Sequence, residues 1–475
     1  MQATAPHLAA RTAADWRRAF QDLPREHGFE PLRIEGRLPP ELRGTLYRNG
    51  PALFSSHGER YRHWFDGDGA VSAVRLAGDG AARGAVRLVM SEGLVEERLA
   101  GHRIFEGYGT VAAGGPIARL RHRTKNAANT SVFAWNGALY ALFEGGKPTQ
   151  IDPDDLLTIG TTDFGGVIPA TFSAHPHRVP ARRASYNFGL RFGRQTLLDL
   201  FALPDGGPAS RIASLPLRAP TMIHDFIATE HHLVFFVSPL RLQVLRQLLG
   251  LGAYGDNLAW RPDAGTEVLV VPIDDPGHAI RFEAEPFFQF HFANAFERDG
   301  AIVVDLVRYP DFTINDWLGG LPHGEERPVR LGSFARATLD LRARTLRSET
   351  RWDRTCEFPR VAPATTARDY RFAWLASHAG SAAGLFDTIT RLDVQSGEAR
   401  SADLGSRCYP SEPVFVQRPG ATAEEDGWAL TLVYDAAAHR THLAVLDGRT
   451  LEVEARAHFD HHLPPSFHGG FAPLP

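Results

Sequence analysis

Along nearly the whole chain, short runs rich in Val, Leu, Phe and Tyr alternate with clusters of Gly, Asp, Asn and Pro, the pattern of many short strands joined by turns. Ser131 to Glu144, SVFAWNGALYALFE, predicts a hairpin in which Asn136-Gly137 supplies the positive φ angles of a two-residue turn. Ala429 to Tyr434 and His442 to Leu446 flank a small loop and predict a second. Helical pattern is confined mostly to Ala13 to Leu23 and Leu240 to Leu251, both expected at the periphery.

An apolar strand end followed by an Asp-containing turn recurs at Asp79, Asp152, Asp205, Asp274, Asp340, Asp393 and Asp447, in steps of 73, 53, 69, 66, 53 and 54 residues. Steps near 53 fit one four-stranded unit each, and the longer steps fit the same unit with insertions. The spacing predicts an all-β fold, a seven-bladed β-propeller with a few peripheral helices and loops capping the active-site face. Residues 1–40 are then an N-terminal arm and helix packed on the propeller, and residues 41–475 one propeller domain. Because Asp turns occur in any β protein, a β fold without repeats is the alternative.

Composition narrows the classes of function. With 475 residues, 43% hydrophobic and 22% charged, the chain can bury a large core. A formal charge of -4 with scattered basic residues lacks the electrostatic footprint of a nucleic-acid binder. Of the 51 basic residues only Lys125 and Lys147 are lysine. Cys356 and Cys408 cannot frame a disulfide scaffold, which fits a reducing, cytoplasmic setting. Met1 to Asp22 has no apolar core of the kind a secretory signal needs. The most apolar stretch, Leu233 to Tyr254, is broken by Arg241, Gln243, Arg246 and Gln247, so it is expected to touch a bilayer at most rather than span one.

Among 21 histidines, His175 in FSAHP, His224 in MIHDF, His291 in FQFHFAN and His468 in SFHGGF sit among apolar or aromatic residues, as on a buried strand. They fall 23, 19, 17 and 21 residues after Asp152, Asp205, Asp274 and Asp447, one phase of the repeat. At that phase Asp340 and Asp393 are followed instead by Glu357 and Glu412. In a propeller, equal phase brings side chains from different blades to the central axis. Four neutral imidazoles at one point make a site for Zn, Cu, Fe or Ni, and carboxylates nearby can take the other ring N–H of each ligand. Glu357, Glu412 and Glu144 suit that role. His177, two residues from His175, is the alternate ligand, while the pairs His231, His232 and His461, His462 read as surface residues. A lone histidine among apolar residues is more often a hydrogen-bonded core residue than a ligand; four at one phase favour the metal.

Other chemistries fare poorly. Glu144 to Thr149, EGGKPT, lacks the full phosphate-loop pattern and reads as a turn. No GxSxG elbow or HExxH helix occurs. HWFDGDG, His63 to Gly69, is too short for a twelve-residue calcium loop and reads as a propeller turn.

Taken in order, TLYRNGP (45–51), HWFDGDG (63–69), KNAANTSV (125–132), LFEGGKP (142–148), SAHPH (173–177), MIHDF (222–226), FHFANAFE (290–297), VDLVRYPDF (304–312), CEFPR (356–360), CYPSEPVFV (408–416) and FHGGF (467–471) resemble the carotenoid cleavage oxygenases. The resemblance implies a seven-bladed propeller with non-haem Fe(II) held by His175, His224, His291 and His468. It places that family's three supporting glutamates on Glu144, Glu357 and Glu412, and a small side chain near the open position of the iron on Thr130. The implied activity is insertion of both atoms of O2 across a conjugated C=C bond, giving aldehydes or an aldehyde and a ketone, within a tunnel lined by aromatic residues.

GYGTVAAGG, Gly107 to Gly115, followed by KNAANT is similar to the bacterial apocarotenoid-cleaving branch, which releases retinal. The alternative is the lignostilbene-cleaving branch, whose phenol-binding Lys and Tyr would be Lys125 and, poorly matched, Tyr108. Leu240 to Leu251 falls where the family has an apolar patch at the tunnel mouth, implying contact with a membrane interface; a helix packed on the propeller face is the alternative. A binding scaffold without catalysis is the reading of another class.

Overall fold

The computed structural model describes residues 15–121, 123–325, 327–380 and 384–474. Its strands form a succession of antiparallel sheets in chain order, and no sheet closes on itself. The first is ordered His27–Pro31, Ala82–Leu88, Asp68–Leu76, Gly44–Leu53, His468–Pro473, so the last strand of the chain completes the first sheet. Three four-stranded sheets follow, spanning Ser131–Trp135 to Thr158–Thr161, His177–Val179 to Ser210–Pro216, and Ile227–Ala228 to Ile280–Ala284. A seven-stranded sheet comes next. Its longest strand, Thr345–Val361, pairs with Ser333–Asp340 through its first part and with Phe372–Ser377 through its last. The final sheet is built on Gly427–Asp435, Arg440–Asp447 and Val453–His458.

Both sequence-predicted hairpins form: Ser131–Trp135 pairs with Ala138–Leu142 across Asn136 (φ 49) and Gly137 (φ 74), and Gly427–Asp435 pairs with Arg440–Asp447. The recurring Asp turns occupy one structural position. Each joins the third strand of its unit to the fourth, counted from the strand nearest the histidines. At Asp79, Asp152, Asp340, Asp393 and Asp447 the carboxylate accepts a hydrogen bond from the backbone N–H two residues on, the local bond that makes Asp a turn residue. Asp205 and Asp274 instead accept from Arg178 and Arg182.

Packing follows the same succession. The first sheet meets the second around Val71 and Val132, and the second meets the third around Leu142 and Phe201. Phe188 and Phe235 join the third to the fourth, and Val234 and Val304 join the fourth to the first half of the long sheet. The two halves of the long sheet meet around Val303 and Leu375, and the second half meets the final sheet around Trp374 and Ala429. Leu430 and Val74 then bring the final sheet back onto the first. Each sheet is thus covered on both faces by its neighbours, which is why its middle strands are buried along nearly their whole length, while outer strands such as Thr158–Thr161 and Ser210–Pro216 are more exposed.

The helical expectations need correction. Of Ala13 to Leu23, only Asp15–Phe20 is helical, as a 3-10 helix; residues 21–23 are irregular and residues 13–14 lie outside the described residues. Leu240 to Leu251 is not one helix: Leu240–Leu242 is a strand paired with Leu258–Trp260, and only Val244–Leu248 is helical. Sheet pairing overrides local propensity there. Three α-helices went unforeseen: Glu92–Ala100, capped by Ser91 and ended by Gly101 at φ 71, the short Gly115–Arg119, and Thr313–Gly320. The N-terminal segment is stitched into the sheets, His27–Pro31 to Ala82–Leu88 and Arg33–Gly36 to Val453–His458.

Burial lowers the pKa of three histidines remote from the four-histidine cluster, His442 to about 3 and His63 and His462 to about 4. A base held below its unfolded value contributes stability that is complete above about pH 6.5 and is lost as pH falls toward the folded pKa. The thermal midpoint is therefore expected to be flat above pH 7 and to fall steeply between pH 6.5 and 4. His442→Gln should flatten that descent; an identical profile in the variant would exclude His442 as a cause.

Candidate metal centre

His175, His224 and His291 each lie just before the first strand of a sheet, and His468 begins the strand that completes the first sheet. The sequence-based placement on buried strands is thus corrected for three of the four. The difference has a physical cause: ahead of the paired region the backbone is free to turn the ring toward the middle of the molecule. The repeat explains the phase, because the fourth strand after each Asp turn returns the chain to the next sheet's innermost strand.

One ring nitrogen from each of His175, His224, His291 and His468 lies within 4.8 Å of the others. The Nε2 atoms of His175 and His224 are 3.1 Å apart and those of His224 and His291 are 3.2 Å apart. The other ring nitrogens of three of the four face carboxylates. His291 Nδ1 is 2.6 Å from Glu357 Oε2, His468 Nδ1 is 2.9 Å from Glu412 Oε1, and His224 Nδ1 contacts Glu144 Oε1. The glutamates come from the three units that supply no histidine: Glu144 follows Ala138–Leu142, Glu357 lies in the last part of Thr345–Val361, and Glu412 stands between Cys408–Pro410 and Val414–Gln417. His177 is excluded from the cluster; its Nε2 is 2.8 Å from Asp225 Oδ1.

This arrangement fits a cation. Each carboxylate fixes its partner's proton on Nδ1, leaving Nε2 lone pairs pointing at one another, a repulsive arrangement unless a positive ion sits between them. Two imidazole nitrogens bound to one ion at about 2.1 Å and at right angles lie about 3 Å apart, close to the two spacings found. Burial pushes the His175 ring well below the ordinary imidazole value, with His224, His468 and His291 adding to it. Burial also takes His468 down to about 4 against the pull of Glu412, so both offer neutral nitrogens. For His224 burial is outweighed by Glu144, and the pKa rises.

Three residues of the site were not singled out from sequence. Arg48, buried, places Nη1 2.5 Å from Glu412 Oε2, and Arg360 Nε is 2.9 Å from Glu412 Oε1. Burial opposes ionisation of Glu412, but Arg360, His468 and Arg48 outweigh it and hold the carboxyl well below its usual range. Tyr309 OH donates to Glu357 Oε1 at 2.7 Å. Arg48, Tyr309 and Arg360 lie inside TLYRNGP, VDLVRYPDF and CEFPR, so the motifs carried the signal although no spacing did. Thr130 lies beside the cluster, its carbonyl accepting from His468 N at 3.2 Å and its Oγ1 donating to Asn129 Oδ1 at 3.1 Å.

His224, His291, His468 and Thr130 open onto a cavity of about 670 Å³, within the range of small-molecule sites. Its wall is largely aromatic and aliphatic, including Phe65, Tyr108, Met222, Tyr254 and Phe290. Val244 and Leu248, both exposed, border it.

The family model for the retinal pigment epithelial membrane protein matches residues 20–473. The chain is 34% identical to the apocarotenoid-15,15'-oxygenase of Synechocystis sp., across 99% of this chain and 98% of that one. It is 28% identical to a carotenoid cleavage oxygenase of Mycobacterium tuberculosis, across 93% and 94%, and 28% identical to resveratrol cleavage oxygenase 1 of Aspergillus fumigatus, across 92% of each. The crystal structure of the cobalt-substituted Synechocystis apocarotenoid oxygenase superposes with a TM-score of 0.90 at 33% identity, covering 98% of this chain and 99% of that one. The chain belongs to the carotenoid oxygenase family whose model bears the name of the retinal pigment epithelial membrane protein. It is an enzyme of the carotenoid cleavage oxygenase type, an O2-dependent dioxygenase.

Proposed function

We propose that this enzyme holds Fe(II) between His175, His224, His291 and His468 and cleaves a conjugated C=C bond of an apocarotenoid or carotenoid to aldehyde products of retinal type. The observation that carries the reading is a four-imidazole cluster, three of whose rings line a largely apolar cavity. The fold belonging to this reading is a seven-bladed propeller over 41–475, with residues up to 40 as an arm; the ring of sheet-to-sheet packing supports it. When bound, Fe(II) supplies the activation of O2 that a singlet alkene needs, since triplet O2 reacts with it only slowly. The chain's own residues do the rest. Glu144, Glu357 and Glu412 hold the imidazoles of His224, His291 and His468 in one tautomer and orientation, Thr130 keeps a small side chain beside the cluster, and the aromatic wall orients a polyene and excludes water. No side chain needs to transfer a proton.

The deciding experiment incubates the Fe(II)-loaded protein in air with a long apocarotenal, and separately with a hydroxylated stilbene, and weighs the products. Retinal from the first is expected. Phenolic aldehydes from the stilbene alone would overturn the reading in favour of stilbenoid cleavage.

One observation already disfavours the stilbene alternative. The ammonium of Lys125 is buried, 2.9 Å from Asp68 Oδ2, 2.9 Å from Glu97 Oε2 and 2.7 Å from Tyr61 OH. These three contacts use its three donors, leaving none for a phenol. Lys125→Met is accordingly expected to act on stability, lowering it by about 3 kcal/mol because two carboxylates lose their buried partner. In soluble protein at low temperature the KM for a polyene should be unchanged. A large rise in KM with unchanged stability would restore a ligand-binding role to Lys125.

No helix among the described residues is long and apolar enough to cross a membrane. Ile117, Leu120, Leu245, Leu248, Leu249 and Leu251 are nevertheless exposed, at 49 to 77%, and Gly250 packs against Arg119, which joins the two segments into one patch at the cavity mouth. Such a surface suits peripheral contact with a lipid interface, where an apolar substrate would be collected. Leu245→Glu with Leu248→Glu is expected to abolish co-sedimentation with vesicles. Unchanged sedimentation would remove the patch from that role.

A further inference from the structure

Phe358 has a conformation that its own residue type disfavours. Its φ is 55°, in the left-handed region that bulky side chains rarely adopt. It lies where the pairing of Thr345–Val361 with Phe372–Ser377 shifts register, between Glu357 and Arg360. A strand alternates its side chains between two faces, so regular pairing would not send Glu357, Phe358 and Arg360 all toward one point. The irregularity does so, as such bulges re-aim side chains. Glu357 reaches His291, Arg360 reaches Glu412, which in turn bonds His468, and the phenyl ring between them lies against both imidazoles. Its centroid is 5.3 Å from that of His291, stacked at 30°, and 5.4 Å from that of His468 at 66°.

The ring is also half-buried and forms part of the cavity wall. Across the cluster a second phenyl, Phe290, packs edge-on against His224 at 4.9 Å. The four imidazoles are therefore flanked by two aromatic surfaces, and the one on the Phe358 side is kept there by a strained backbone. Backbone strain of this kind persists only where the surroundings over-determine it, and it clusters at functional sites. Orientation of His291 and His468 does not require the ring, because Glu357 and Glu412 already fix both.

We propose that Phe358 is a specificity-determining residue: its ring is the stop that fixes which double bond of a polyene lies at the four-histidine cluster. This rests on the polyene-cleavage reading. In a uniform apolar channel little distinguishes one conjugated unit from the next, since the units differ only in where the methyl branches fall. A rigid aromatic wall beside the reacting position supplies the distinction sterically. Removing it opens room for the chain to advance or retreat.

The test compares wild type with Phe358→Ala and Phe358→Leu, each loaded with Fe(II) and supplied with a long apocarotenal, and weighs the aldehydes. The visible absorption of the Co(II)-loaded proteins without substrate reads the ligand set independently of turnover. Wild type is expected to give one pair of products. Phe358→Ala should place about a tenth or more of its product at neighbouring double bonds, with Phe358→Leu in between, and the Co(II) spectra should coincide. A single unchanged cleavage position in both variants overturns the proposal and leaves the polyene reading intact. A changed Co(II) spectrum with an unchanged position reassigns Phe358 to holding the imidazoles, which also overturns it. No product from wild type with any polyene overturns the function reading, and this inference falls with it.

Discussion

Replacing His291 by alanine is expected to release the metal and abolish turnover while leaving the fold in place. The ring nitrogen of His291 is one of four converging within 4.8 Å, and its neighbours cannot replace it: Glu357 is committed to Tyr309 and the Phe358 N–H as well as to His291. Loss of a group that merely supports a ligand typically lowers metal affinity 10- to 100-fold, so loss of the ligand itself should lower it by more than about 100-fold. Stability should change little, because Glu357 keeps two partners and the side chain faces the cavity rather than a sheet interface; the thermal midpoint of the metal-free protein should move by no more than about 3 °C. Metal analysis, turnover and a melting curve on the same sample check this. Retained metal with lost turnover would remove His291 from the ligand set, and retained turnover without metal would favour a different chemistry altogether.

Glu412→Ala should be the more damaging of the glutamate changes, for a reason that Glu357 does not share. Glu412 bonds His468 on one side and balances Arg48 and Arg360 on the other. Arg48 is 1% exposed, and its other contacts, Ser466 Oγ and the Phe467 carbonyl, carry no full negative charge. Stripping one partner from a buried ion pair costs about 3–5 kcal/mol, so Glu412→Ala is expected to lose that much stability in addition to metal affinity. Glu357→Gln should lose affinity with a stability change under about 1.5 kcal/mol, since it strands no cation. Unfolding by urea of the two metal-free variants separates these outcomes. Equal destabilisation would mean that Arg48 finds another counter-charge.

The parts of this molecule that were readable from sequence are those governed by short-range rules. Asn136-Gly137 demands a hairpin wherever it stands, and an Asp whose carboxylate caps the amide two residues on marks a turn independently of the fold around it. Because those turns all join the third and fourth strands of a unit, their spacing also carried the phase of the histidines. Glu144 escaped that phase because it follows the second strand of its sheet, whereas three of the histidines stand just before the first, and only its motif pointed to it. Arg48 and Arg360 are two of many arginines, and nothing local distinguishes a buried partner of Glu412 from a surface charge. Leu240–Leu242 misled for the opposite reason: its leucines satisfy a helical pattern, while a strand at Leu258–Trp260, some twenty residues on, decides the outcome.

The distribution of the ligands along the chain has a consequence for how the ion is acquired. His175, His224, His291 and His468 come from four different sheets, and the last belongs to a strand that pairs with Gly44–Leu53 at the other end of the sequence. No fragment ending before residue 468 contains the full set, and no pair of adjacent sheets holds more than two of the four. On the proposed ligand set, a partly made or partly folded chain therefore has little hold on a metal ion, and capture has to follow completion of the ring. Metal occupancy becomes a record of finished folding: chains interrupted or misassembled anywhere between the first sheet and the last are left without the ion, and so without the capacity to activate oxygen in the wrong surroundings.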